Sequence, residues 1–218
     1  MWSLTRAIDR AFVKEWSERY LHDAANSRWR PGPKLVSAMA EFPALQVVRG
    51  LASYWSLEDF IFSTIGPSVR DAALFTVAEF VTVGYWKTPR PLTNYLSNEA
   101  RPGTIQKVTG AALARTEPAI GRRATLAYLN GVGAPVASAL LTVWCPDEFT
   151  IIDYRALSTL SHFGATVDGV AASEHRQFWW EQHYELYLKL CKSIVETVAP
   201  FTLREVDRAL WKWGERNG

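Results

Sequence analysis

Two closely spaced glycines and one aspartate form the pattern in this 218-residue chain that is best suited to chemistry. Gly131 and Gly133 are separated by one residue, and Asp153 follows Gly133 by twenty positions. Glycine leaves the backbone N–H groups of a tight turn accessible, and a helix that begins after such a turn attracts anions. Asp153 comes directly after two isoleucines at the start of a helical segment, so it is either a helix N-cap or a carboxylate placed for chemistry.

Two helices must position the glycines. A helical pattern covers residues 119–128, the turn Leu129-Asn-Gly-Val-Gly133 follows, and a second helix is predicted with Pro135 in its first turn. The sequence therefore predicts a helix–hairpin–helix over about residues 118–144, followed by an aspartate segment over 146–160. A phosphate diester of DNA is the natural ligand of such a turn, held without sequence preference. The alternative is that the glycines merely join two helices of a bundle.

Helical periodicity extends over nearly the whole chain, and strand-like alternation is almost absent. Proline and glycine breakers, among them Pro118, divide the sequence into about ten predicted helices with short connections. The first helical pattern begins at Leu4, and the pair Thr202 and Glu205 predicts a capping box at the start of the last helix. The expected fold class is all-α, with one short extended segment over residues 149–152.

Composition excludes several classes of protein. A hydrophobic fraction of 48% with 21% charged residues is typical of a folded globular chain and excludes a mostly disordered one. The two cysteines, Cys145 and Cys191, are too few for a four-thiolate iron–sulfur cluster or a four-cysteine zinc site, and we expect free core residues. The histidines lack the spacing of a helical zinc site.

The net charge of +2 argues weakly against nucleic-acid binding, but its distribution is uneven. Residues 84–123 contain seven basic and two acidic side chains, a local net charge of +5. Because basic surfaces attract backbone phosphates, one face of the molecule is suited to DNA. The N-terminal segment carries charges, and no stretch is apolar enough to span a membrane, so we expect a cytoplasmic location and no membrane partner.

The pattern Leu-x-Gly-Val-Gly, then a helix of small residues, then an aspartate twenty positions on, resembles the helix–hairpin–helix (HhH-GPD) DNA glycosylase superfamily. The similarity covers roughly residues 118–160, and the rest of the chain agrees in length and helical content. Within the superfamily the chain is most similar to a prokaryotic branch, related to the 8-oxoguanine DNA glycosylases, that places a Trp-Lys-x-x-Arg segment before the hairpin, here Trp86 to Arg90. The resemblance implies a two-lobed helical fold in which residues 1–218 form a single glycosylase-like unit.

The resemblance assigns base excision to Asp153, which falls where the family has its catalytic aspartate. Cleaving an N-glycosidic bond builds positive charge on the sugar, and a nearby carboxylate stabilises that charge or orients the attacking water. Bifunctional members carry a lysine two residues after the second glycine, whereas this chain has Pro135. Because proline offers no amine for a Schiff base, the resemblance implies a monofunctional DNA glycosylase, without lyase activity, that removes a damaged or modified base in base excision repair.

Further residues take their roles from the same resemblance. The expected DNA contacts are Gly131, Val132, Gly133, Ala134, Arg155, Lys87 and Arg90. The aromatic candidates for a pocket that holds the extruded base are Trp86, Tyr85 and Trp144. The backbone carbonyls expected to hold a structural K⁺ or Na⁺ are those of Ala127, Leu129 and Val132. No cofactor is required, no iron–sulfur cluster is expected, and we expect a monomer that associates with the nucleoid when bound to DNA.

Two other functions stay open. The chain is alternatively a non-catalytic helix–hairpin–helix DNA-binding protein that has lost the chemistry, with Pro135 as the sign of that loss. It is alternatively a glycosylase-like component of phage defence, or a toxin that acts on DNA bases. Asp153 separates the first alternative from the enzyme, because only the enzyme needs this carboxylate for base release.

Overall fold

The chain is predominantly helical. The computed structural model describes residues 2–114, 119–167, 169–172 and 177–218. These ranges contain twelve α-helices and three short strands, which confirms the predicted all-α class. The helices are α1 (Arg10–Asn26), α2 (Pro33–Glu41), α3 (Tyr54–Phe60), α4 (Gly66–Ala72), α5 (Val77–Lys87), α6 (Leu92–Ser97), α7 (Thr104–Leu113), α8 (Ala119–Leu126), α9 (Ala134–Trp144), α10 (Tyr154–His162), α11 (Gln177–Val198) and α12 (Leu203–Asn217). Short 3₁₀ segments at Pro43–Gly50 and Asn98–Ala100 and a π-helical turn at Ile61–Ile65 lie between them.

The chain divides into two compact units. One unit is built from both ends of the chain, up to His22 and from Pro146 onward, and we call it the terminal unit. The other comprises Asp23–Cys145, and we call it the central unit. The predicted hairpin belongs to the central unit, and Asp153 belongs to the terminal unit. In the described parts of the chain, no helix is long and apolar enough to cross a membrane.

The terminal unit is organised around the pair α10 and α12. Thr159 on α10 donates its hydroxyl to the carbonyl of Leu210 on α12 at 2.6 Å. Gly214 on α12 lies against the backbone of α10, so that a Cβ at this position would collide with the carbonyl of Arg155. The absence of a side chain at Gly214 therefore allows the two helices to approach closely.

Two helix boundaries in the terminal unit follow from capping. Thr202 and Glu205 form the predicted capping box at the start of α12, which is confirmed. Helix α1 begins after Asp9 rather than at Leu4, so the predicted start is wrong. The physical reason is that the Asp9 carboxylate accepts the N–H of Phe12 at 2.8 Å and caps the helix there.

The segment over residues 149–152, which the sequence predicts to be extended, is neither helical nor paired in a strand. The carbonyls of Thr150 and Ile151 accept the hydroxyl groups of Tyr184 at 2.7 Å and Tyr187 at 2.9 Å, both on α11. Because these buried side chains satisfy the backbone, the segment needs no neighbouring strand. The strands that do occur are β1 (Trp2–Ser3), β2 (Thr166–Val167) and β3 (Val170–Ala171), which form an antiparallel sheet in that order.

The central unit is built around α9. Every residue of this helix from Val136 to Val143 is buried. Helix α5 contacts α9 and is buried from Phe80 to Gly84. Gly66, at the start of α4, lies so close to α9 that a Cβ there would be 2.9 Å from the carbonyl oxygen of Val143. The turn that precedes α9 is therefore attached to a helix whose residues from Val136 to Val143 are all buried.

Candidate nucleic-acid interface

The predicted hairpin corresponds to a turn between α8 and α9. Helix α8 ends at Leu126 and α9 begins at Ala134, while Pro118, the predicted start of the motif, lies outside the described residues. Gly131 has a φ of +84°, in the left-handed region that favours glycine. Gly133 has an extended backbone with a φ of −93° and is the N-cap of α9. We refer to residues 127–133 as the glycine turn.

The tip of the glycine turn is fixed by Asn98, a buried residue that follows α6. The Asn98 Oδ1 accepts the N–H of Asn130 at 2.7 Å, and Nδ2 donates to the Asn130 carbonyl at 3.2 Å. The same Nδ2 donates to the carbonyls of Asn94 at 3.1 Å and Tyr95 at 3.0 Å. One side chain therefore ties both backbone groups of Asn130 to the end of α6, a role that no pattern in the sequence indicated.

Tyr95 packs under the glycine turn. A Cβ on Gly131 would lie 3.0 Å from the Tyr95 ring, and a Cβ on Gly84 of α5 would lie 2.9 Å from it. The ring is fully buried, its hydroxyl donates to the carbonyl of Thr88 at 3.3 Å, and burial raises the pKa of Tyr95. Two glycines are thus needed on opposite sides of one aromatic ring, and only one of them was recognised in the sequence.

The N-terminal end of α9 presents backbone donors. Among the residues that the structure describes, no hydrogen-bond partner accepts the N–H groups of Gly131, Gly133 or Ala134. Pro135 has no N–H, the N–H of Val136 returns to the Gly133 carbonyl at 3.1 Å, and no side chain caps the helix. Unpaired N–H groups at a helix N-terminus attract anions, so this end of the helix is suited to a phosphate group.

The carbonyls expected to hold a monovalent cation lie in the same turn. The Leu129 carbonyl accepts the N–H of Val132 at 3.1 Å, and one of its lone pairs remains. The carbonyls of Ala127 and Val132 accept no hydrogen bond from any described residue. Because backbone carbonyl oxygens are ligands of K⁺ in proteins, the donor type suits a monovalent cation, and the cation site stays a prediction. Over the described ranges, no group of three or more His, Cys, Asp or Glu side chains is arranged to hold a metal ion.

Asp153 is the N-cap of α10 in the terminal unit. Its Oδ1 accepts the N–H of Arg155 at 2.9 Å, and only 9% of the residue is exposed. The helix-capping interpretation is therefore confirmed, and the catalytic role stays a prediction. Because the cap fixes the side chain, Asp153 is a positioned carboxylate rather than a freely rotating surface group.

Arg155, the expected phosphate contact beside Asp153, lies between two aromatic rings. Its guanidinium carbon is 4.9 Å from the ring centroid of Tyr154 and 4.7 Å from that of Trp211. Such cation–π contacts restrain a guanidinium group. Tyr154 is itself 58% exposed, so an aromatic surface directly follows Asp153, and no pattern in the sequence pointed to it.

The basic residues that precede the glycine turn divide into surface and interior groups. Lys87 is half-buried and Arg90 is exposed. Arg122 and Arg123 on α8 are buried, with exposed fractions of 7% and 6%. Arg122 donates to the carbonyl of Ala112 at 3.0 Å. These two arginines are interior residues, so the net charge of the basic stretch overstates the positive charge at its surface.

The three aromatic candidates for a base pocket lie in different surroundings of the central unit. Trp86 is 7% exposed and packs edge-on against an aromatic ring of the π-helical turn, which makes it a core residue. Tyr85 is half-buried, and its hydroxyl accepts a backbone N–H from the loop before α2 at 3.1 Å. The Arg122 guanidinium lies 4.8 Å from the ring centroid of Trp144. All three have structural contacts, and their role in holding a base stays a prediction.

Neither Cys145 nor Cys191 forms a disulfide, but their environments differ. Cys191 on α11 is fully buried, and burial raises its pKa, which favours the protonated thiol. Cys145 directly follows α9 and is partly exposed. The prediction of a core cysteine is confirmed for Cys191 and wrong for Cys145.

No protein-family model, no curated protein and no solved structure matches this chain. The resemblance to the helix–hairpin–helix glycosylases therefore rests on the pattern between Leu129 and Asp153.

Proposed function

We propose that this chain is a monofunctional DNA glycosylase that hydrolyses the N-glycosidic bond of a damaged or modified base. The observation that carries the proposal is the end of the glycine turn and the start of the buried helix α9, where no described residue accepts the N–H groups of Gly131, Gly133 or Ala134. This turn binds a backbone phosphate of duplex DNA without reading its sequence. Arg155, Lys87 and Arg90 add cationic contacts, and the protein acts as a cytoplasmic monomer that associates with the nucleoid on binding DNA.

The chemical step needs a carboxylate, and Asp153 supplies it. A water molecule loses a proton to the carboxylate and bonds to C1′ of the target nucleotide while the bond between C1′ and the base breaks. The base leaves with the bonding electron pair and takes up a proton from solvent, Asp153 releases its proton to solvent, and a hydroxylated abasic sugar remains in the strand. Positive charge that develops on the sugar during this step is stabilised by the negative carboxylate. Tyr85, Trp86 and Trp144 are proposed to hold the extruded base.

Pro135 determines which variant of the chemistry we propose. A strand-cleaving glycosylase needs an amine that attacks C1′ and forms a Schiff base. The position after Ala134 holds a proline without an amine, so water is the proposed nucleophile. Borohydride, which reduces Schiff bases, is therefore expected to trap no covalent complex between the protein and DNA.

A monovalent cation in the glycine turn would assist binding rather than catalysis. The carbonyls of Ala127, Leu129 and Val132 would hold it, and it would supply positive charge beside a DNA phosphate. Replacing K⁺ and Na⁺ by a bulky organic cation at constant ionic strength separates this contribution from general screening.

The decisive experiment compares Asp153→Asn with the unchanged protein on duplexes that each contain one oxidised, deaminated or alkylated base. We expect the unchanged protein to release one class of base and Asp153→Asn to lower the rate by about a hundredfold or more, since an amide carries no charge. Duplex affinity is expected to be unchanged. Asp147→Asn, which removes an exposed carboxylate from the same segment, is the matched control and should keep full activity. Equal rates for Asp153→Asn and the unchanged protein would contradict the proposed catalytic role.

A second candidate is a non-catalytic DNA-binding protein. The observation that favours it is the structural use of Asp153, whose Oδ1 already accepts the N–H of Arg155. In this case the unchanged protein binds duplex DNA, releases no base from any duplex of the panel, and keeps its affinity in Asp153→Asn. The same set of measurements therefore separates the two candidates.

A further inference from the structure

An open cleft on the central unit combines positive charge with an aromatic side chain. Its volume is about 550 Å³, and its lining includes Arg28, Arg30, Arg49 and Trp29. The other lining residues are apolar, and no carboxylate lines the cleft. A cleft of this size is within the range that accommodates small ligands or part of a chain molecule. Neither the glycine turn nor the basic stretch over residues 84–123 contributes to it.

Two segments of the chain form the two rims of the cleft, one over residues 28–31 and the other over residues 49–52. Backbone hydrogen bonds join these two segments. Arg28 forms an antiparallel bridge with Ser53, and the N–H of Trp29 donates to the carbonyl of Ala52 at 3.3 Å. The N–H of Tyr54 donates back to the carbonyl of Ser27 at 3.0 Å. These bonds tie the segment after α1 to the segment before α3. The backbone positions of the arginines on opposite rims are therefore fixed relative to each other.

The charges in the cleft are not neutralised by the protein. Arg28, Arg30 and Arg49 are exposed, and none of them forms an ion pair with a carboxylate among the described residues. Arg49 donates only to the amide oxygen of Gln46, at 3.5 Å. By contrast, Arg19 in the terminal unit pairs with a glutamate at 2.7 Å. Three unneutralised guanidinium groups around one concave surface attract a ligand with more than one negative charge.

We propose that this cleft binds a single strand of DNA, with phosphates on the three arginines and one base stacked on Trp29. Guanidinium groups suit phosphate oxygens, and an aromatic ring stacks on any base, which is the combination found in sites for single-stranded nucleic acid. The inference goes beyond the glycine turn, which is suited to duplex phosphates, and it rests on the proposed function only in the choice of DNA as the ligand.

The experiment measures affinity for a fluorescently labelled oligothymidylate of eight nucleotides by anisotropy, over a series of salt concentrations. The triple variant Arg28→Gln, Arg30→Gln, Arg49→Gln is expected to bind at least tenfold more weakly. The plot of log K against log salt concentration should also become less steep. The magnitude of its slope should decrease by about 0.7 for each phosphate that is no longer neutralised by an arginine. Trp29→Ala is expected to weaken binding about tenfold, because no ring remains on which a base can stack.

Arg19→Gln is the matched control, since it removes one exposed arginine that lies over a tryptophan ring but is paired with a glutamate. It should leave the affinity for the oligothymidylate unchanged, and thermal unfolding should show that all variants remain folded. Equal affinity of the triple variant and the unchanged protein would overturn the inference. It would also be overturned if inorganic triphosphate displaced the labelled oligothymidylate as well as unlabelled oligothymidylate does and Trp29→Ala left the affinity unchanged.

Failure of the proposed function gives a different result. If the unchanged protein releases no base while the triple variant loses affinity for the oligothymidylate, the cleft inference stands without the glycosylase. If base release depends on Asp153 while the cleft variants bind normally, the glycosylase stands without the cleft.

Discussion

The N-terminal ends of α9 and α10 differ in what lies next to the positive end of the helix dipole. Both helices follow an N-cap residue with an extended backbone, Gly133 for α9 and Asp153 for α10. At α10 the Asp153 carboxylate accepts the N–H of Arg155, so the chain supplies its own anion. At α9 no side chain caps the helix, and N–H groups remain unpaired within the described residues. A helix end without its own anion is suited to one from outside.

The difference also shows how each end is held in place. Asp153 is fixed by its own cap, whereas the turn before α9 is fixed from behind by Asn98 and Tyr95. The support behind the glycine turn engages Asn130 and the side of Gly131 that faces Tyr95, and it forms no hydrogen bond with the N–H groups of Gly131 or Gly133. The N-terminal end of α10 is thus suited to presenting a carboxylate, and that of α9 is suited to binding a phosphate. The following changes test this division, in order of decreasing effect on stability.

Removing the support behind the glycine turn is expected to have the largest effect. Asn98→Ala deletes hydrogen bonds to both backbone groups of Asn130 and to the end of α6, and we expect a loss of about 2–3 kcal/mol in the free energy of unfolding. Urea unfolding followed by circular dichroism measures it. Ser97→Ala removes an exposed hydroxyl that accepts from the Asn130 side chain, and should cost less than about 0.5 kcal/mol. Equal losses would contradict the role of Asn98.

A side chain at Gly131 is expected to have the next largest effect. Gly131→Ala places a Cβ on a residue with positive φ and 3.0 Å from the Tyr95 ring, and we expect a loss of about 1–2 kcal/mol in the free energy of unfolding. Gly103→Ala is a matched control, because Gly103 has a φ of +81° but nothing within 4 Å of its Cβ position. A loss at Gly131 no greater than that at Gly103 would show that contact with Tyr95 adds nothing.

The sequence predicted the all-α class, the capping box at Thr202 and the position of the glycine turn, because these depend on local periodicity and on residues three or four positions apart. It could not predict Asn98, which reaches Asn130 from a distant part of the chain through packing. It also could not separate Arg122, which is buried against a carbonyl, from the exposed Arg90. Burial is a property of tertiary packing, and identical side chains in one basic stretch give no sign of it.

The residues between 149 and 152 illustrate the same limit. The sequence predicts an extended segment here, and the backbone is not helical. What decides the outcome is the supply of partners for the backbone, which come from the hydroxyls of Tyr184 and Tyr187 on α11. These tyrosines lie more than thirty residues further along the chain. No local pattern indicates such a pairing.

Giving α9 its own anion should convert its N-terminal end into one like that of α10. Gly133→Asp places a carboxylate at a position whose backbone is already extended, so the cap is expected to raise the free energy of unfolding by only a few tenths of a kcal/mol. The same carboxylate occupies and repels the site of a phosphate, so duplex affinity should fall about tenfold or more. Gly133→Asn caps without a charge and should lose less affinity. If Gly133→Asp is stable and binds duplex DNA as tightly as the unchanged protein, then the phosphate does not bind at this helix end.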